Sequence, residues 1–340
     1  MNCLVIGGTG FLGRALVADL LKAGHAVTIL HRRAQHELGR RVKNIQADRN
    51  DGQAVRAALA GKSFDVVFDH VYDHARGTTA GHVETTARAV AANLHRYIYM
   101  SSVAAYGDGL NHHEGDALSA DDTPDLYVRN KAMSERALFR LHQRIGLPVV
   151  TLRPPFIFGP GNPYYREAFF WDRLRAGRSI VLPGDGRRLM QFIYVKDLIR
   201  AAMKCMDEPN AVGHAFNIAN PRPLAQAEAV EAFGRIAKKP AKLVRVPREF
   251  ILRAGGHPMG PKLYFGNYLD VPPITQVTAK AQRVLKFKPT DFPTALKETY
   301  RWYLRHSPFP AQDYKFEDML LTHAPTLSPP EPVRAERKRA

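Results

Sequence analysis

An α/β protein built on a parallel β-sheet is the fold that this 340-residue sequence predicts, and two observations carry it. Short apolar runs alternate with amphipathic stretches through the first half, the pattern of successive βαβ units. Directly after the first apolar run, "LVIGGTGFLGRAL" places glycines at 7, 10 and 13, where a strand would turn into a helix. The length allows one composite α/β unit or two intimate lobes.

The elements follow in order. Strands are expected at about 2–6 (NCLVI), 26–30 (AVTIL), 43–47 (KNIQA), 65–69 (DVVFD), 96–101 (RYIYMS) and 148–153 (PVVTLR). Residues 12–24 carry apolar residues at helical spacing and stop at Gly24, a C-terminal glycine. Residues 78–93 and 125–145 also read as helices, the second ending near Gly146. "PPFIFGPGNPYY" from 154 reads as a long loop over the carboxyl edge of the sheet, where open α/β sheets bind ligands. Residues 190–220 read as a return to the sheet, with a helix at 195–207 and a strand in "HAFNIA"; 221–305 mixes helices with irregular pieces. From 307 a proline-rich, charged, flexible tail is expected.

Composition narrows the classes. Apolar residues make up 45% and aromatics 9%, as in globular proteins. No apolar run reaches membrane-spanning length and no signal-type N-terminus appears, so no membrane association and a cytoplasmic location are expected. Two cysteines, Cys3 and Cys205, provide neither a disulfide framework nor a metal spacing. The histidine-rich pieces "DHVYDH" (69–74) and "NHHEGD" (111–116) lack a fixed helical ligand pair, and no metal is assigned. The formal charge of +17 admits anionic partners, but the basic residues are scattered and only the terminal "RAERKRA" is dense.

The chemistry is read from three places. In the glycine turn, Gly7 permits the tight turn, Gly10 lets backbone approach a pyrophosphate, and Gly13 lets helix and strand pack closely. Phe11 and Leu12 open the helix whose unpaired N–H groups favour that anion, so a dinucleotide cofactor is expected. The second strand ends in "ILHRR"; His31, Arg32 and Arg33 offer no carboxylate to a ribose and two guanidiniums suit a phosphate, which favours NADP over NAD. Asp48, after the third strand, can accept from an adenine amino group or cap the following helix. Tyr127 and Lys131 sit four apart and share one helical face. A phenol titrates near about 10, and a neighbouring ammonium favours its phenolate, so the pair suits proton exchange with an alcohol during hydride transfer. Ser101 and Ser102 close the fifth strand at the same edge, and Ser102 can hydrogen-bond the substrate oxygen.

These pieces, "GGTGFLG" (7–13), "SSVAAYG" (101–107), "YVRNK" (127–131), "LRPPFIFGPG" (152–161) and "PGDGRRLMQFIYVKDL" (183–198), resemble the extended short-chain dehydrogenase/reductases, in particular the NAD-dependent epimerase/dehydratase group. The resemblance spans roughly residues 1–305. It implies a Rossmann-type doubly wound sheet (1–155 plus about 187–220) and a smaller C-terminal substrate lobe (about 156–186 plus 221–306). It also implies a Ser102, Tyr127, Lys131 triad, NAD(P) contacts that extend to Ser101 and Pro154, a nucleotide-sugar substrate and a homodimer. The chain departs from the pattern at His31, where an aspartate is usual, and at Met190, where an arginine usually clamps a diphosphate. Arg187 and Arg188 are the nearby substitutes, with Tyr164 an aromatic candidate at the substrate. Epimerase, dehydratase, and a dehydrogenase or carbonyl reductase with dissociable NADP all remain open on the sequence. From another class, RNA binding on the same scaffold is the alternative, since some chloroplast relatives of the fold family are associated with RNA.

Overall fold

The computed structural model describes residues 1–307, 309–310 and 312–328, which divide into two compact units. The first comprises Met1–Asn162, Gln191–Pro223 and Pro273–Thr299. Its centre is a seven-stranded sheet in which all neighbours run parallel. The order is His214–Asn217, Val149–Arg153, β5 (Arg96–Met100), β4 (Val66–Asp69), β1 (Asn2–Ile6), β2 (Ala26–His31) and β3 (Val42–Gln46). Strands buried on both faces read as continuous apolar runs, which is why the sequence located the inner strands within a residue or two, whereas the edge strand β3 is only partly buried.

Helices cover both faces. α1 (Phe11–Lys22) packs beside the helix Val195–Asp207. On the opposite face, α2 (Gly52–Leu59), α3 (Ala80–Val90) and α4 (Leu126–Ile145) contribute Val55, Leu59, Val83, Ala87, Leu138 and Leu141 to a core with Leu4, Ile6, Val67, Tyr97 and Val149. Asp51 caps α2 by accepting from Gln53 and Ala54 N–H. Thr79 and His82 form a reciprocal cap at α3. Asp125 accepts from Tyr127 and Val128 N–H at 2.8 and 3.1 Å, and Gly146 ends α4 in the left-handed region.

The second unit comprises Pro163–Met190, Leu224–Pro272 and the described residues from 300 to 328. Phe169, Phe170, Trp171, Phe233 and Phe265 form its aromatic centre, all at most 1% exposed. Three expectations change here. Residues 273–299 belong to the first unit, because the strand Ile274–Gln276 pairs parallel with Gly109–His112 and Gln276 donates to Arg153 O at 2.8 Å. The expected loop from 154 contains a strand, Phe156–Phe158, paired parallel with Phe192–Tyr194. The expected flexible segment from 307 holds a helix, Lys315–His323, whose Glu317 forms a buried ion pair with Arg173. The rest of that expectation, residues 329–340 with the dense basic run, lies outside the described residues.

Candidate active site

The glycine turn leaves β1 and enters α1 as its spacing requires. Gly7 has φ +91°, a backbone that side-chain-bearing residues rarely adopt, and its N–H donates to Leu30 O at 3.2 Å. A Cβ on Gly13 would stand 2.2 Å from Gly7 O and 2.6 Å from Gly8 Cα, so this glycine is required by helix-to-strand packing. A Cβ on Gly10 would meet nothing nearer than 3.6 Å, and Gly10 caps α1 without a side-chain bond or an acidic first turn. Gly10 N–H turns back onto Gly7 O at 3.2 Å, so the space at Gly10 together with the N–H groups of Phe11 and Leu12 that open α1 fits a phosphate group. His70, after β4, sits beneath the turn with Nε2 3.3 Å from Gly7 O, and burial pushes its imidazole down to about 4.

Tyr127 and Lys131 lie one turn apart at the start of α4. Lys131 is 3% exposed, and its Nζ donates to Met100 O at 2.7 Å, which ties α4 to the carboxyl end of β5. The same Nζ stands 5.0, 5.5 and 5.8 Å from the ring centroids of Tyr99, Tyr72 and Tyr127. Burial lowers the ammonium from 10.5 to about 8, against an upward pull from the Asp69 carboxylate. Tyr127 is half-buried: the ring of Tyr72 meets it edge-on at 4.8 Å and that of His74 stacks at 5.4 Å. The Tyr72 hydroxyl donates to Leu126 O at 3.3 Å and accepts from Asn130 at 3.1 Å. Sequence reasoning missed Tyr72 and His74, although "DHVYDH" was singled out for its histidines.

The serines part ways. Ser102 is 8% exposed and its Oγ accepts from Ala104 N–H at 3.1 Å, opening the short 3-10 turn Val103–Tyr106. Ser101, expected at the cofactor, donates its hydroxyl to Glu135, a fully buried carboxylate. Glu135 also accepts from Thr151 at 2.9 Å and from Arg153 at 2.7 Å, so the Ser101 side chain serves the joint of β5, α4 and Val149–Arg153. Pro154 follows that strand, its carbonyl accepting from Val103 N–H at 3.0 Å.

At the end of β2, Arg32 lies 3.5 Å from Asp73 of the loop after β4, while His31 is half-buried with Nδ1 accepting from Arg33 N–H at 3.3 Å. Asp48 accepts from Asn50 N–H at 2.9 Å and pairs with Arg76 at 2.9 Å; the helix cap is Asp51. The substrate candidates Tyr164, Arg187 and Arg188 lie in the second unit. Arg188 is bound to Asp270 at 3.0 Å, as is Arg248 at 2.7 Å, because this buried carboxylate needs compensating charge. Arg187 N–H donates to Asp185 at 2.9 Å, and Tyr164 lies 4.6 Å from the Arg166 guanidinium.

The sequence matches the NAD dependent epimerase/dehydratase family over residues 3–219. It is 30% identical to the chloroplast stem-loop binding protein of 41 kDa b of Arabidopsis thaliana, over 94% of this chain and 84% of that protein. It is 32% identical to the 2-alkyl-3-oxoalkanoate reductase of Stenotrophomonas maltophilia, over 68% of this chain and 74% of the reductase. The fold is shared with UDP-glucuronic acid 4-epimerase from Bacillus cereus, solved with UDP-glucuronic acid and NAD: TM-score 0.70, 19% identity, 90% of this chain and 99% of that one. The chain therefore belongs to the NAD dependent epimerase/dehydratase family, enzymes of the extended short-chain dehydrogenase/reductase type.

Proposed function

We propose that the chain binds NAD(P) at the glycine turn and takes a hydride from a secondary alcohol of a sugar or nucleotide-sugar, or returns one to the corresponding ketone, with Tyr127 as acid and base. The observation that carries this reading is the Tyr127–Lys131 pair: the Lys131–Met100 bond fixes it at the carboxyl end of β5, the sheet edge from which the glycine turn leaves β1. The bound cofactor would supply the hydride acceptor and donor. Gly7, Gly10, Phe11 and Leu12 would receive its phosphates, and Arg32 with Arg33 would favour a 2′-phosphate, hence NADP. Tyr127 takes the hydroxyl proton of the substrate as the alcohol is oxidised and returns it on reduction, while the Lys131 ammonium steadies the charge on the phenolic oxygen. Ser102 is the nearby hydroxyl suited to orient the substrate oxygen. The alternative is a dissociable cofactor used on a non-nucleotide carbonyl substrate, and the likeness to the 2-alkyl-3-oxoalkanoate reductase favours its substrate class.

The test is to purify the protein, denature it, and identify released NAD or NADP by mass spectrometry. Turnover is then assayed on UDP-glucuronic acid and on a 2-alkyl-3-oxoalkanoate. Tyr127→Phe is expected to lower turnover at least about a hundredfold while cofactor affinity stays within a few-fold; unchanged turnover would sink the mechanism. A second reading, RNA binding, is favoured by the stem-loop binding relative and by the +17 charge.

A further inference from the structure

The segment after β4, residues 70–79, crosses the sheet edge rather than rising directly into α3. In the sheet β1 lies between β4 and β2, so the Arg32–Asp73 pair spans the carboxyl end of β1, from which the glycine turn departs. One strand further, Arg76 pairs with Asp48 beyond β3 at 2.9 Å. Two carboxylates therefore stand among the cations that make the end of β2 look like a phosphate site.

The two partners of the first pair differ in freedom. Arg32 is exposed, its side chain 66% accessible, and can swing. Asp73 is held from several sides. One carboxylate oxygen accepts the N–H groups of Ala75 and Arg76 at 3.0 and 3.2 Å, and the other accepts from Arg76 Nε and Nη2 at 2.9 and 2.7 Å. Its own N–H donates to Thr78 Oγ1 at 3.0 Å, Thr78 donates to Asn50 at 3.0 Å, and Asn50 returns a bond to Gly77 O at 2.9 Å. The Arg76 guanidinium, foremost, keeps the Asp73 carboxyl below the usual carboxylate range. Asp73 is thus a fixed negative charge at physiological pH, facing the guanidinium that a 2′-phosphate would need.

We propose that Asp73 is a specificity-determining residue for the cofactor: it occupies Arg32 and opposes the 2′-phosphate of NADP, setting how far this enzyme distinguishes NADP from NAD. The proposal rests on the reading that the glycine turn binds a dinucleotide. A phosphate dianion and a carboxylate compete for the same face of a guanidinium. The exposed Arg32–Asp73 pair is weak enough for the phosphate to win Arg32. Asp73 cannot follow, so its charge remains nearby and repels the phosphate. NAD carries no 2′-phosphate and is indifferent to the exchange. The basic sequence "HRR" therefore overstates the preference for NADP.

The test is titration of the full chain with NADPH and, separately, NADH, for wild type, Asp73→Asn, Arg32→Gln and the double variant. Asparagine keeps an acceptor for the Ala75 and Arg76 N–H groups and removes the charge together with the acceptor of the Arg76 guanidinium. Asp73→Asn is expected to tighten NADPH about three- to tenfold and to change NADH less than twofold. In the Arg32→Gln background the gain is expected to shrink, because the share that comes from releasing Arg32 is lost and only the direct repulsion between Asp73 and the phosphate remains. Unaltered NADH binding certifies the fold of the variant, and Asp73→Ser, which also retains the local turn acceptor, is the replacement if the asparagine variant fails to fold. Equal changes for both cofactors, or none for NADPH, overturn the role of Asp73 and leave dinucleotide binding standing. Failure of the wild type to bind either nucleotide overturns the dinucleotide reading and the proposal with it.

Discussion

Lys131 makes the site pH-dependent in a direction that its burial determines. Its folded pKa of about 8 lies below the ordinary 10.5, so the ammonium is present below pH 8 and lost as pH rises through it. The support proposed for the Tyr127 oxygen disappears over the same range. The profile of kcat/KM is therefore expected to fall on its alkaline side near pH 8. In Lys131→Arg that limb should move upward by at least about one unit, because a guanidinium keeps its proton. An unmoved limb in the arginine variant would assign the titration to another group. At this scale the sequence was partly legible. Tyr127 and Lys131 declare themselves by helical spacing, since α4 alone brings them together. Asp73 and Tyr72 do not, because their partners Arg32 and Leu126 come from other elements. The Ser101 side chain is a related case: whether a strand-end hydroxyl faces a ligand or the core depends on what waits beneath it, here Glu135.

Among the elements, the glycine turn separates packing from binding. Gly13→Ala places a methyl group 2.2 Å from backbone oxygen and 2.6 Å from Gly8 Cα, atoms that cannot yield without moving β1 or α1. A loss of about 1–3 kcal/mol is expected, read as a lower midpoint in denaturant unfolding. Gly10→Ala adds its methyl to open space at φ −80°, which alanine tolerates, so the midpoint should hardly move. Dinucleotide affinity should nevertheless drop at least about tenfold, because the methyl projects where the phosphates approach the helix N-terminus. A Gly10→Ala variant that binds NAD(P) normally would place the phosphates elsewhere. The turn was legible because each glycine answers to local geometry. Phe156–Phe158 was not: prolines before it and glycines after it read as loop, and its pairing strand, Phe192–Tyr194, lies more than thirty residues on.

Across the whole molecule the charge is the property that the family assignment leaves unexplained. Arg49, Arg153 and Arg173 form buried ion pairs with Asp69, Glu135 and Glu317, which are neutral as pairs, so the full +17 excess is carried by the other residues. Arg188 and Arg248 compensate Asp270 in the same way. The parallel sheet was readable at this scale from apolar runs, whereas the return of residues 273–299 to the first unit depended on long-range hydrogen bonds such as Gln276 to Gln191 at 2.8 Å. Along the sequence up to residue 328 the basic residues are scattered, and a scattered positive charge binds polyanions by releasing counterions, so its affinity collapses with salt. A fluorescent RNA stem-loop is accordingly expected to bind in about 50 mM salt, to lose at least about a hundredfold in affinity by about 200 mM, and to ignore both Tyr127→Phe and saturating NADPH. Binding that persists at physiological salt and is displaced by NADPH would mean that RNA and the dinucleotide share the crevice at the glycine turn. RNA would then be a ligand of this site, and the charge would belong to the function rather than to the surface at large.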